Sequence, residues 1–180
     1  MILLITIYSF QDLQLKVKWP NDIYYKDELS GSNVKIGGIL VTTSIVGSQV
    51  IAAIGCGVNL SNQRPTLSIN ELVHRAGGNR PLSIEHFLAA FFNQLEELCN
   101  LISASQLKQV LNMYYEHWLH DGAVVTIRTE SNEIASAQIV GIDEFGFLRV
   151  KCDNGATFTV HPDGNSFDML NGLISPKLVR

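Results

Sequence analysis

The chain has 180 residues, 46% hydrophobic and 17% charged, and its 13 basic and 17 acidic side chains leave a formal net charge of −4. Apolar content this high with so small a charge excludes a disordered chain. The basic residues are scattered singly rather than clustered, so no nucleic-acid partner is expected.

The opening run Met1–Phe10 is apolar but stops at Gln11-Asp12, short of the roughly 20 residues a membrane-spanning helix needs, and it lacks the basic start of a signal peptide. It reads as a segment that a core must cover, with a signal anchor as the alternative, and no membrane partner is expected. Leu15, Val17 and Trp19 alternate with Lys16 and Lys18, the period of a half-buried strand, until Pro20 stops it. A second strand follows from Asp22, and Lys26–Asn33 reads as an exposed loop. Val34–Ser44 and Gln49–Cys56 then predict a hairpin around Val46-Gly47-Ser48. Ser68 and Glu71 have capping-box spacing, so a short helix opens there, and Gly77-Gly78 ends it.

Ile84, Phe87, Leu88, Phe91, Phe92, Leu95, Leu98 and Ile102 recur at three- and four-residue steps, which predicts one buried helix face over 83–102. After a break at Ser103–Ser105, the run Leu107, Val110, Leu111, Tyr114, Tyr115, Trp118 predicts a second helix whose aromatics join the core. Beyond His120 come short β segments at Ala123–Thr129, Ala135–Ile142, Phe147–Lys151 and Thr157–Val160. Turn residues at Ser131-Asn132, Asp143–Gly146 and Asp153–Gly155 separate them, the texture of a small SH3-like barrel. The expected division is 1–120 and 121–180.

Three polar clusters could carry chemistry. Lys16-Val-Lys18-Trp-Pro-Asn21-Asp22 ends a strand, and Pro20 restricts the backbone so that Asn21 and Asp22 point in a defined direction. There an aspartate can bind Mg²⁺ and an asparagine can donate and accept; a plain turn is the other reading. In Lys35-Ile-Gly37-Gly38, paired strand glycines mark a bulge or a close approach to the backbone, and in a regular strand Lys35 would share a face with Gly37. A point charge beside open backbone suits a carboxylate or phosphate, and an exposed lysine beside a bulge is equally compatible. In Gly55-Cys56-Gly57-Val-Asn59 the glycines alternate ahead of Asn59; Cys56 reads as a buried cysteine rather than a nucleophile. His161–Asp168 reads as a loop, and Ser166 lacks a nucleophile-elbow setting. His74, His86, His117 and His120 form no metal triad and read as helix-surface residues, and Cys56, Cys99 and Cys152 fit neither a disulfide framework nor a CxxC site. A reduced intracellular protein is the simplest reading of these cysteines; a cytoplasmic setting with a mitochondrial pool is a separate expectation.

At Lys18-Trp-Pro-Asn-Asp22, Lys35-Ile-Gly-Gly-Ile-Leu-Val41 and Gly55-Cys-Gly-Val-Asn59, in that order and spacing, the chain resembles the biotin–protein ligases. Tyr24-Tyr25 and His161–Leu170 make it most similar to the eukaryotic holocarboxylase synthetases. The resemblance implies an α+β fold: part of a catalytic domain shared with class II aminoacyl-tRNA synthetases, a mixed sheet with helices, followed by the SH3-like domain. It implies an enzyme that makes biotinyl-5′-AMP from biotin and ATP with Mg²⁺, then transfers biotin to a lysine of the carrier domain of a biotin-dependent carboxylase. By motif match Lys35 is the catalytic lysine, on biotin's carboxylate and the reacting phosphate. Lys18, Asn21 and Asp22 face ATP, with Asp22 at its metal; Gly37, Gly38 and Gly57 let the ligand lie against the strands, and Asn59 lines the nucleotide side.

The family also carries an upstream Gly-Arg-rich loop, whereas this chain has no adjacent arginines. The chain is therefore expected to correspond to a C-terminal portion of a ligase and to expose a hydrophobic face. A non-catalytic module binding carrier domains or full-length ligase is the alternative.

Overall fold

The computed structural model describes residues 6, 13–27, 31–62, 67–128, 134–160, 165–168 and 173–176, with 128, 165–168 and 173–176 as backbone. The chain divides into two compact units, Met1–Leu119 and His120–Arg180, and its class is α+β.

In the first unit β1 (Leu15–Lys18), β2 (Asp22–Lys26), β3 (Asn33–Val46) and β4 (Gln49–Val58) form an antiparallel sheet in chain order. Residues 19–21 link β1 to β2, with a cis Trp19–Pro20 peptide. β3 and β4 join through Gly47-Ser48, where Gly47 supplies the positive φ (+63°) that a two-residue hairpin turn needs. The β2–β3 register slips once. Asp22 faces Gly38 and Ile23 faces Gly37, but Tyr24 faces Lys35, so Ile36 is an extra residue on β3.

Three helices, α1 (Ile69–Arg75), α2 (Ile84–Ser103) and α3 (Leu107–Glu116), follow. Ser68 and Ser83 cap the first two by accepting hydrogen bonds from the N–H groups of Glu71 and His86. Both helices end in the same paired pattern: Gly78 N–H to Val73 O with Gly77 N–H to His74 O, and Gln106 N–H to Leu101 O with Ser105 N–H to Ile102 O. The core gathers Leu15, Val17, Ile23 and Ile36 from the sheet, Ile69 and Leu72 from α1, Phe87, Phe91 and Leu98 from α2, and Val110 from α3.

The buried stripe of α2 is narrower than its periodicity predicts. Phe87, Phe91 and Leu98 are inside, while Ile84, Leu88, Phe92 and Ile102 stay exposed, because apolar spacing sets a face but a neighbour must exist to cover it. Trp118 is buried outside α3, in a parallel bridge to Val17. From Leu40 to Gly57 the β3–β4 hairpin is exposed, with Leu40, Val41, Ile45, Val46, Val50, Ile51 and Ile54 uncovered.

The second unit is SH3-like, with β5 (Val124–Arg128), β6 (Ile134–Ile142), β7 (Leu148–Cys152), β8 (Thr157–Val160), β9 (Asn165–Asp168) and β10 (Leu173–Pro176). Their order is β8-β7-β6-β5-β10-β9, antiparallel except for β10 beside β5. Alternation buries Ala137 and Ile139 of β6 and Leu148, Val150 and Cys152 of β7. The turns at Asp143–Gly146 and Asp153–Gly155 form as expected. The Asp143 carboxylate accepts from the N–H groups of Phe145 and Phe147, and Gly146 and Gly155 adopt positive φ.

Asn165–Asp168, expected in a loop, is a strand: pairing with β10 overrides local turn chemistry that offers no periodic signal. His120 is buried at the start of this unit rather than on a helix surface, because the helix has already ended at Glu116. The segments Met1–Ile5, Ile7–Asp12, Ser131-Asn132 and His161–Gly164, and part of the Lys26–Asn33 loop, lie outside the described residues.

Candidate functional site

The first two polar clusters converge on one side of the sheet. β2 begins at Asp22 directly after the Trp19–Asn21 link, so Asn21 and Asp22 sit at a strand end opposite Gly38. Asn21 grips β3 twice, its carbonyl accepting from the Ile39 N–H at 2.9 Å and its side-chain amide donating to the Ile39 carbonyl. Asp22 Oδ1 lies 2.7 Å from Lys35 Nζ, a charge-assisted pair in which the lysine is half exposed and the aspartate largely covered.

The bulge produces this meeting. With Ile36 as an extra residue, Lys35 leans over Gly38 instead of sharing a face with Gly37, and its Cε lies 3.6 Å from the point where a Gly38 Cβ would stand. The glycines differ in what surrounds them. A Cβ on Gly37 would meet the Gly57 carbonyl at 2.8 Å, and one on Gly38 the Asp22 carboxylate at 2.6 Å. Gly57 is open, with nothing within 4 Å of its Cβ position.

Asn21, Asp22, Lys35, Gly37, Gly38, Gly55, Gly57 and Asn59 line one open cleft of about 460 Å³, together with the apolar Ile36, Ile39 and Leu40. A few polar groups on an apolar floor is the usual make-up of a small-molecule site. Asn59 ties the cleft to the helices: its N–H donates to the Ile36 carbonyl and its own carbonyl accepts from the Ile69 N–H, both at 2.8 Å. Lys18 stands apart, its ammonium 5.2 Å from the centroid of the Tyr24 ring. The apolar floor was not named from sequence; Ile39 and Leu40 read there as ordinary strand residues, and only the register places them in the cleft.

Cys56 is exposed on β4 rather than buried. Its apolar surroundings, Ile54, Val58 and Phe91 among them, push the thiol above its usual range, which disfavours the thiolate form. Among the described residues no group of three His, Cys, Asp or Glu side chains is placed to hold a metal ion, and no helix is long and apolar enough to cross a membrane.

Two family descriptions match the chain: Biotin/lipoate A/B protein ligase family over residues 4–59, which contain the cleft motifs, and Biotin protein ligase C terminal domain over residues 122–170. The human biotin–protein ligase is 42% identical over 178 residues, covering 96% of this chain and 23% of that protein. Biotin–protein ligase 2 of Arabidopsis thaliana is 36% identical over 175 residues, covering 94% of this chain and 50% of that protein. The chain thus spans half or less of the length of these two relatives. In fold it resembles the biotin protein ligase of Aquifex aeolicus solved with biotin and ATP, at a TM-score of 0.64 and 16% identity over 88% of this chain and 64% of that one. With both matched families placed in one chain and relatives of a single description running along nearly all of it, this chain belongs to the biotin–protein ligase family.

Proposed function

We propose that the chain takes part in ATP-dependent protein biotinylation, with the cleft around Lys35 as the place where biotin and ATP meet. The observation that carries this reading is the convergence of Asn21, Asp22, Lys35, Gly57 and Asn59 on one cleft from three separate sequence motifs. In the first step an oxygen of the biotin carboxylate attacks the α-phosphorus of ATP and pyrophosphate leaves. In the second the amine of a carrier-domain lysine attacks the acyl carbon of biotinyl-5′-AMP, a proton is lost and AMP leaves.

Both partners of the first step are anionic, so a fixed cation between them lowers their repulsion and stabilises the charge that builds on phosphorus. Lys35 is that cation, and no nucleophilic side chain is required; the protein's part is positioning and electrostatics. Gly57 leaves its stretch of β4 open to the ligand, Gly37 and Gly38 allow Asp22 and β4 to close on β3, and Asn59 borders the nucleotide. Lys18, at the end of β1, is assigned to an outer phosphate of ATP by its motif alone.

One acidic side chain, Asp22, lines the cleft. A lone carboxylate fits Mg²⁺, which is commonly held by one or two carboxylates together with nucleotide phosphates and water. Bound with ATP, the ion supplies charge neutralisation at the phosphates, and Asp22 is the residue that would hold it. Acceptors are the carrier domains of biotin-dependent carboxylases, and a cytoplasmic setting with a mitochondrial pool belongs to the same reading.

A second reading is a non-catalytic module that binds carrier domains or full-length ligase, favoured by the uncovered apolar side chains of the β3–β4 hairpin and α2. One experiment separates the two: incubate the purified chain with biotin, Mg·ATP and an apo carrier domain, and probe the carrier with streptavidin beside a ligase-free control. Labelled carrier supports catalysis by this chain. Unlabelled carrier that still co-elutes with the chain supports the module.

A further inference from the structure

The adjacent glycines of β3 lack side chains for different reasons. Neither has a positive φ, so the backbone at both positions is open to any L-residue, and what excludes a side chain is space. At Gly37 the obstacle is main chain, the Gly57 carbonyl 2.8 Å from the Cβ position, and an alanine must push β4 off β3. At Gly38 the obstacle is the tip of a side chain, Asp22 Oδ1 at 2.6 Å; the next neighbours, the Asn21 carbonyl at 3.5 Å and Lys35 Cε at 3.6 Å, are at ordinary contact distance. The carboxylate of Asp22 therefore occupies the place where a residue-38 side chain would begin, and from there it reaches Lys35 Nζ at 2.7 Å. Register makes this seat: Asp22 is paired with Gly38, and the extra residue Ile36 turns Lys35 towards the same spot.

We propose that Gly38 is a positioning residue for Lys35, holding it through Asp22. The absent Cβ lets the carboxylate settle against the strand and hold the ammonium over the cleft floor. A methyl group at residue 38 displaces the carboxylate and releases the ammonium, and because only a side-chain tip moves, the strands stay paired. The consequence for biotin and ATP rests on the function proposed above; the seating of the pair does not.

The test needs neither substrate. The whole chain is trace-labelled with acetic anhydride in the absence of ligands, and acetylation at Lys35 is quantified by mass spectrometry against the exposed Lys108 and Lys151 as internal references. Freed from its carboxylate, Lys35 in Gly38→Ala labels about two- to fivefold faster than in the parent chain, the factor expected from a partly exposed ion pair. Asp22→Ala gives the same increase, and Gly38→Ala added to Asp22→Ala gives no more, since the group the methyl displaces is gone. Gly37→Ala, the main-chain control, lowers the melting midpoint, whereas Gly38→Ala keeps it near the parent value. Unchanged Lys35 labelling in Gly38→Ala, an equal increment in the Asp22→Ala background, or a Gly38→Ala chain that loses its fold would each overturn the proposal. Absence of biotinylation in the parent chain would count against the proposed function alone, because the labelling reads the pair directly.

Discussion

At the scale of single residues, the cleft depends on Lys35 and the stability of the first unit on partly buried groups such as Tyr114. Lys35 is half exposed on β3, and a side chain in that position contributes little to the core. Lys35→Ala is expected to abolish adenylation, read as biotin-dependent exchange of pyrophosphate into ATP, while stability changes by no more than about 0.5 kcal/mol. Exchange at the parent rate would remove Lys35 from its proposed role. Tyr114 packs against the core, and burial, with the neighbouring Tyr115 adding to it, pushes its phenol well above the usual tyrosine range. Folding then retains a proton that the unfolded chain loses near pH 10, so this part of the stability is intact below about pH 10 and falls as pH rises further. Melting midpoints followed from about pH 8 to about pH 11 should show a shallower alkaline decline in Tyr114→Phe than in the parent; equal slopes would contradict the assignment. Lys35 and Asp22 could be singled out in the sequence because Pro20 fixes the backbone ahead of Asp22 and the paired glycines after Lys35 mark a bulge or a close approach. That they touch could not, since alternation alone directs Lys35 to Gly37 and the bulge is what redirects it.

Among the elements, the two helix ends with identical hydrogen bonds offer a controlled comparison. The left-handed position is Gly77 after α1, with φ of +85°, and Ser105 after α2, with φ of +58°. A side chain in that region costs free energy that glycine avoids. Ser105→Gly is therefore expected to stabilise the chain by about 0.5–1 kcal/mol and Gly77→Ala to destabilise it by about 1 kcal/mol. Urea unfolding of the two variants checks the signs, and a loss of stability in Ser105→Gly would contradict the strain. The start of α1 was legible because Ser68 acts through a neighbour three residues away, and that of α2 from the apolar period that begins at Ile84. The strand at Asn165–Asp168 was not, because it is made by partners distant in sequence and carries turn-forming residues.

For the whole molecule, the decisive feature is an uncharged, uncovered hairpin. No Asp, Glu, Lys or Arg lies between Lys35 and Arg64, and β4 is an edge of its sheet among the described strands. Long apolar edges without charged residues or proline invite pairing with other chains. The chain is expected to associate in a concentration-dependent way, measurable by light scattering. Val50→Lys, at a position 70% exposed, should reduce that association while changing stability by less than about 0.5 kcal/mol. A parent chain that is monodisperse and monomeric across the concentration range would refute the expectation.

The sequence by itself determined what depends on local spacing: the order of the first eight strands and the three helices, the Ser68 cap, the hairpin turn, the change of texture near His120, and the three motifs that mark the family. Tertiary structure alone decided what depends on neighbours. It set which apolar residues of α2 are covered, since a period names a face but not its partner, and it made a strand of Asn165–Asp168 through pairing with β10. It also brought Lys35 to Asp22 over Gly38, because a one-residue slip in register reverses which side chains share a face, and no local signal in the chain announces it.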